Sequence, residues 1–225
     1  MSPTTLTALT VTAAACLLPA CSHDPQRADA PVVGKATAAA NQHYIATLHP
    51  MNSKVTGRHA MGGAAFVVDG DNLHITIDAK GLPPRIEHWQ HFHGFTDGRA
   101  AACPTTKADV NHDGIIDLIE TETVAGTTMV PFDNDPAAMD IAHGQYPHAG
   151  ADGTFHYQQI VSMPALDAAF AKAFAGQAPD LDRRVIFIHG VVADTHLPST
   201  VASLGPIPAH VTLPIACGVI ERVRE

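Results

Sequence analysis

Residues 62–83 read GGAAFVVDGDNLHITIDAKGLP. In a β-strand, side chains two apart point to the same face. Phe66 and Val68 share a face of one segment, and Leu73, Ile75 and Ile77 alternate with polar partners in the next. Between them, Asp69-Gly70-Asp71-Asn72 supplies turn chemistry, so the pattern predicts an antiparallel hairpin. Gly81-Leu82-Pro83-Pro84 ends the second strand. The flanking segment HYIATLHP (43–50) alternates in the same way. Further strands are expected in GTFHYQQIV (153–161), RRVIFIHGV (183–191) and HVTLPIACGVIERV (210–223). One helix is predicted: Pro164 opens it, Leu166, Phe170 and Phe174 form an i, i+4, i+8 stripe, and Gly176 ends it. Many short strands separated by turns point to an all-β, antiparallel Greek-key sandwich or barrel with one short inserted helix. No internal repeat and no second domain is visible.

The composition fits this reading. Of 225 residues, 46% are hydrophobic and 16% charged, enough for a real core. Glycine and proline number 17 each, which favours turns and short elements over long helices. The formal charge of −9 argues against nucleic acid as a partner, because phosphate binding needs cationic side chains.

Residues 1–21, MSPTTLTALTVTAAACLLPAC, carry no charged side chain and read as an export signal over 1–20. Leu18-Pro19-Ala20-Cys21 resembles a bacterial lipobox, making Cys21 the expected lipidation site and a membrane the expected partner. The missing Lys or Arg ahead of the apolar core is atypical, and a plain cleaved signal is the alternative. Residues 21–41 are small and polar and read as a flexible tether, leaving 42–225 as the folded domain of a cell-envelope protein. Cys16 leaves with the signal and Cys21 is acylated, so Cys103 and Cys217 remain. In an oxidising compartment the pair is expected to bond, closing a loop of over a hundred residues; two separate buried thiols are the alternative.

Two stretches carry chemistry. EHWQHFHG (87–94) holds His88, His91 and His93. His91 and His93 would share a strand face while Phe92 turns away, so two imidazoles can aim at one point. DVNHDGIIDLIE (109–120) matches a twelve-residue calcium loop: Asp109, Asn111, Asp113, Asp117 and Glu120 supply side-chain oxygens, Ile115 its backbone carbonyl, and Gly114 the sharp turn. Four carboxylates this close repel one another without a cation. Long flanking helices are not expected: Cys103-Pro104 lies upstream and TETVAGTTMVPF (121–132) looks extended, so calcium would staple the loop and not drive a conformational signal.

HWQHFHG (88–94), Cys103, RRVIFIHG (183–190) and LPIACGVI (213–220) together resemble the copper/zinc superoxide dismutase superfamily, over most of residues 43–223. The resemblance implies an eight-stranded Greek-key sandwich, copper ligands at His91, His93 and His189, a structural histidine at His88, and a disulfide between Cys103 and Cys217. The departures are specific. The calcium-type loop stands where the family has a histidine-rich zinc loop, so no zinc is expected. His112 sits inside that loop at a position that does not bind calcium and could point back toward copper; His143, His148 or His156 are candidates for a fourth ligand, and none of them matches the zinc motif. Pro214 stands where the family has an arginine that guides superoxide. Independently of the resemblance, His189 emerges from a core-like run, VIFIHG, where an imidazole is costly to bury unless its nitrogens are satisfied. Three functions follow as expectations: a copper-dependent dismutase, an envelope protein that holds copper, or a calcium-stabilised interaction domain.

Overall fold

The structure, a computed structural model, describes residues 41–224. The expected export signal, Cys21 and all but the last residue of the tether lie outside the described residues. Nine strands build the domain: β1 (Gln42–Pro50), β2 (Met61–Asp69), β3 (Asn72–Lys80), β4 (Gln90–Gly94), β5 (Thr127–Pro131), β6 (Phe155–Ser162), β7 (Val185–His189), β8 (Pro214–Val219) and β9 (Glu221–Arg222). Four short helices accompany them: α1 (Ser53–Thr56), α2 (Leu118–Ala125), α3 (Met163–Ala173) and α4 (Ala209–Thr212).

The β2–β3 hairpin is the one the alternation predicts. Asp69 pairs with Asn72 across the turn, and Phe66 pairs with Ile75. Gly70 adopts a φ of 56°, the left-handed conformation that a tight hairpin turn demands. The strand order is β5-β4-β7-β8-β1-β2-β3-β6, with β9 added to β1. Every pairing is antiparallel. β1 joins the two halves: most of it pairs with β2, and its last residues, His49 and Pro50, pair with β8. The sheet curls so that its halves share one core. Leu48, Phe66, Ile75 and Ile77 from one half meet Phe92, Ile186, Ile188 and Ile215 from the other. The fold is therefore the mostly β, antiparallel curled-sheet architecture expected from sequence.

The short helix lies where the stripe puts it. Ser162 caps its N-terminus through the Ala165 N–H, and Leu166 and Phe170 are buried. Phe170 packs on Phe92 with ring centroids 6.0 Å apart. Two segments differ from expectation. Residues 118–125 form α2 and are not extended. The Asp117 side chain accepts from the Glu120 N–H and the Glu120 side chain from the Asp117 N–H, a reciprocal cap that starts a helix. The chain becomes extended only at Thr127. His210–Thr212 likewise belong to a helical turn, and β8 begins at Pro214.

The strands β4 and β7 are buried along their whole length. One face looks into the main core through Phe92, Ile186 and Ile188. On the other face, Val185 and Phe187 pack with Met51, Ala101, Ala125 and Cys217 in a second cluster. The loop after β4 forms that cover, and the Cys103–Cys217 disulfide ties it to β8, with Cα atoms 5.8 Å apart. The bond spans 114 residues of sequence, which in the chain-entropy account is worth about 4–5 kcal/mol. Replacing both cysteines by alanine should lower the unfolding free energy in urea by about that amount; a loss under about 1 kcal/mol would contradict this role.

Candidate metal centre

His91 and His93 stand on β4 opposite Phe187 and Val185 of β7. His189 ends β7, where a register shift between Ile188 and His189 sets it against Pro214 of β8. The three rings converge on the covered face of the sheet. Centroids are 5.0 Å apart for His91 and His189, 5.8 Å for His91 and His93, and 5.7 Å for His93 and His189. One ligand atom from each lies within 4.8 Å of the other two. Among the described residues, no other group of three histidine, cysteine or acidic side chains converges so closely.

The rings are dry. His91 is 4% exposed, His93 0% and His189 1%. His189 Nδ1–H donates to the Thr212 carbonyl oxygen at 2.8 Å, which fixes the tautomer and leaves a lone pair on Nε2. His93 Nε2 lies 3.2 Å from Thr128 Oγ1. Four buried nitrogens have no hydrogen-bond partner: both of His91, Nδ1 of His93 and Nε2 of His189. Buried polar atoms are rarely left so, and each costs about 1–3 kcal/mol. A soft or borderline cation held by neutral imidazoles would take one nitrogen from each of the three rings and so accounts for three of these four atoms. The residues therefore fit a metal ion.

Electrostatics point the same way. Burial, reinforced by His189 and His93, holds His91 well below the ordinary histidine range. Burial and then His189 do the same to His93. Burial brings His189 down to about 4. All three are neutral at pH 7, the state in which an imidazole can offer a lone pair to a metal.

The surrounding residues fix the geometry. His88 is fully buried, its Nδ1 2.9 Å from the His189 carbonyl oxygen and its Nε2 2.8 Å from that of Pro83. It ties the end of β7 to the approach of β4. Tyr146 packs edge-on against His91 at 5.6 Å and stacks on Trp89 at 5.2 Å. A cavity of about 190 Å³ reaches His91 and His189, walled by Trp89, Leu118, Ile141, Leu204 and Ile207. Sequence reasoning missed Thr212, Thr128 and Tyr146. Only the four threonines within 121–128 and Tyr146 beside a histidine cluster could have hinted at such partners.

The other candidate histidines do not join the triad. His112 sits exposed in the acidic loop with φ 59°. His143 pairs with Asp140 at 2.9 Å, His148 with Glu87 at 3.5 Å, and His156 with Asp78 at 2.7 Å. No fourth histidine ligand is present among the described residues.

The acidic loop is tightly folded. Gly114, at the sixth position, takes φ 83°, and its N–H donates to Asp109 Oδ2 at 3.0 Å. The Asp113 N–H donates to Asp109 Oδ1 and Asn111 Oδ1. Glu120 Oε1 accepts from the Val110 and Asn111 N–H groups, and Oε2 from that of Asp117. Asn52 pins the loop to the barrel through both backbone groups of Ile116 and the Pro214 carbonyl. The carboxylates thus bond to backbone N–H groups and are not drawn to one point as the imidazoles are.

Fold and site together define a curled antiparallel β-sandwich with a buried three-histidine centre. No protein-family model matches the chain, and no curated protein matches it. Among solved structures, the chain is similar to a Cu/Zn superoxide dismutase from Brucella abortus, with 20% identity, a TM-score of 0.42, and coverage of 80% of this chain and 99% of that one.

The buried neutral rings make stability pH-dependent without metal. The folded pKa of His189 lies below its unfolded value, so between pH 6.5 and about 4 the unfolded chain binds the extra proton. This stability is full above pH 6.5 and is lost as pH falls toward 4. His189 alone accounts for about 3 kcal/mol, with His91 and His93 adding in the same direction. Urea midpoints of metal-free protein should drop clearly from pH 7.5 to pH 5; equal midpoints would contradict the neutral, buried triad.

Proposed function

We propose that this chain is a copper-binding protein of the bacterial cell envelope, exported and anchored through a lipid on Cys21, with His91, His93 and His189 as copper ligands. The observation that carries this reading is the set of four buried imidazole nitrogens without partners. Imidazole suits both copper and zinc, and the general affinity order favours Cu²⁺ over Zn²⁺ at a given nitrogen site. The disulfide fits an oxidising compartment. The signal, tether and lipid anchor rest on sequence alone.

A bound copper ion would supply one-electron chemistry beside the cavity. The chain's own residues hold it: the Thr212 carbonyl orients His189, His88 fixes the strand ends, and the apolar walls exclude water. Superoxide dismutation is the second reading, favoured by the cavity that leads to His91 and His189. Among the described residues, however, no lysine or arginine lines that cavity, and the net charge is −9. Fast capture of an anion needs a positive approach. Holding copper is therefore the stronger reading, for storage, delivery or protection.

The acidic loop is read as a calcium staple, with ligands Asp109, Asn111, Asp113, the Ile115 carbonyl, Asp117 and Glu120. The turn at Gly114 and its bond to Asp109 support this; calcium would draw the remaining oxygens inward.

Three measurements test these readings. Purified protein should take up one copper ion per chain, and His91→Ala should abolish that uptake while leaving the fold intact by circular dichroism. Unchanged uptake in the variant would overturn the site. A superoxide-consumption assay on the copper-loaded protein should show slow turnover at best; rapid, salt-sensitive consumption would favour the dismutase. Calcium at about a hundred times its Kd should stabilise the protein by about 2.7 kcal/mol, raising Tm by roughly 5–10 °C. Glu120→Gln should remove most of that rise, and no response to calcium or to chelator would refute the staple.

A further inference from the structure

We infer that residues 198–207 form a latched lid over the three-histidine centre, so that metal exchange is gated by two bonds to the acidic loop. The inference rests on the metal-binding reading of the triad. With all three rings at most 4% exposed, a hydrated ion cannot reach them while the cavity wall stays in place. Some part of the wall must move.

The wall has two kinds of component. Trp89 and Leu118 belong to a strand approach and to α2, both packed into the body. Leu204 and Ile207 belong to the connection between β7 and α4, a stretch with no strand or helix of its own. Leu204 is 40% exposed, so it covers the cavity at the surface and is not rooted in a core. The connection starts at Gly190, whose φ of 111° places it in a conformation only glycine adopts readily. The start of the connection is nonetheless anchored: the Gly190 and Val191 N–H groups donate to the Leu213 and His210 carbonyls and Val191 packs in the main core, so opening takes place beyond them.

Val201 packs against the main core, and on either side of it a bond to the acidic loop holds the stretch down. Thr200 Oγ1–H donates to Asp113 Oδ2 at 2.5 Å, and the Ala202 N–H donates to Asp117 Oδ2 at 2.6 Å. Both acceptors are carboxylates, and hydrogen bonds to charged groups are the stronger kind. At the lid's far end, Ser203 Oγ lies 2.7 Å from Thr212 Oγ1 and donates to the Ile207 carbonyl at 2.7 Å. Thr212 is also the residue whose carbonyl orients His189. The latch residues themselves touch no copper ligand. Breaking the latch should therefore change how fast the lid opens and not how tightly the closed site holds its ion.

The test uses the full folded domain and copper ions alone. Trp89 is the only tryptophan of the chain; it lines the cavity 6.2 Å from the His91 ring, so its fluorescence reports occupancy directly. Stopped-flow quenching gives the loading rate, and transfer to a chelator gives the release rate. Thr200→Val should raise both rates together, on the order of tenfold, the scale of losing one hydrogen bond to a charged acceptor. The equilibrium Kd should stay within about twofold, and Thr200→Ser should behave as wild type. Thr200 is exposed, so neither variant disturbs the core. Unchanged rates in Thr200→Val, or a change in Kd with only one rate altered, would overturn the lid. Failure of wild-type protein to bind copper at all would instead refute the site, which separates the two claims.

Discussion

Three imidazoles held out of water, with most of their nitrogens unmet, set the terms for the rest of this molecule. An exposed histidine needs nothing from its neighbours. Here both faces of β4 and β7 must be covered, one by the main core and the other by loops, because the three imidazoles lie on the second face. That requirement explains why VIFIH reads as a continuous apolar run, where a half-exposed strand would alternate. It also explains the cost carried by the metal-free fold. Buried polar atoms without partners destabilise, and the account requires that a cation repay this.

The cover is built from segments that would not hold their place alone. The disulfide fastens the loop after β4 to the neighbouring strand β8. Asn52 fastens the acidic loop to the barrel, and Asp113 and Asp117 fasten the β7–α4 connection to the acidic loop. The chain of attachment thus runs from a covalent bond through polar side-chain bonds to a weakly held outer flap. Stability falls along that chain, and exchange with solvent belongs at its weak end.

Much of this was legible in the sequence. The hairpin at 62–83 could be read because one face is buried and the other is not, so Phe66, Ile75 and Ile77 alternate with polar residues. The H-x-H pair was legible for the same reason of period. His189 could be placed only by joining the oddity of an imidazole in a core run to the family resemblance. The helix at 118–125 was hidden because Asp117 and Glu120 serve two patterns at once, the end of a calcium loop and a helix cap. The turn at His210–Thr212 was hidden because Val211, Thr212 and Leu213 look like a strand by composition, and tertiary packing decided otherwise. The partners of the ligands, Thr212 and Thr128, come from elements distant in sequence, and no local pattern marks them.

The central claim is that residues 91, 93 and 189 together hold one copper ion. Its most direct test is an anomalous difference map at the copper absorption edge from crystals of copper-loaded protein. The account predicts a single strong peak about 2 Å from one ring nitrogen of each histidine, the usual distance for imidazole on such a metal. A peak elsewhere, as at the exposed His143 and Asp140 pair, with the buried nitrogens still bare, would contradict it.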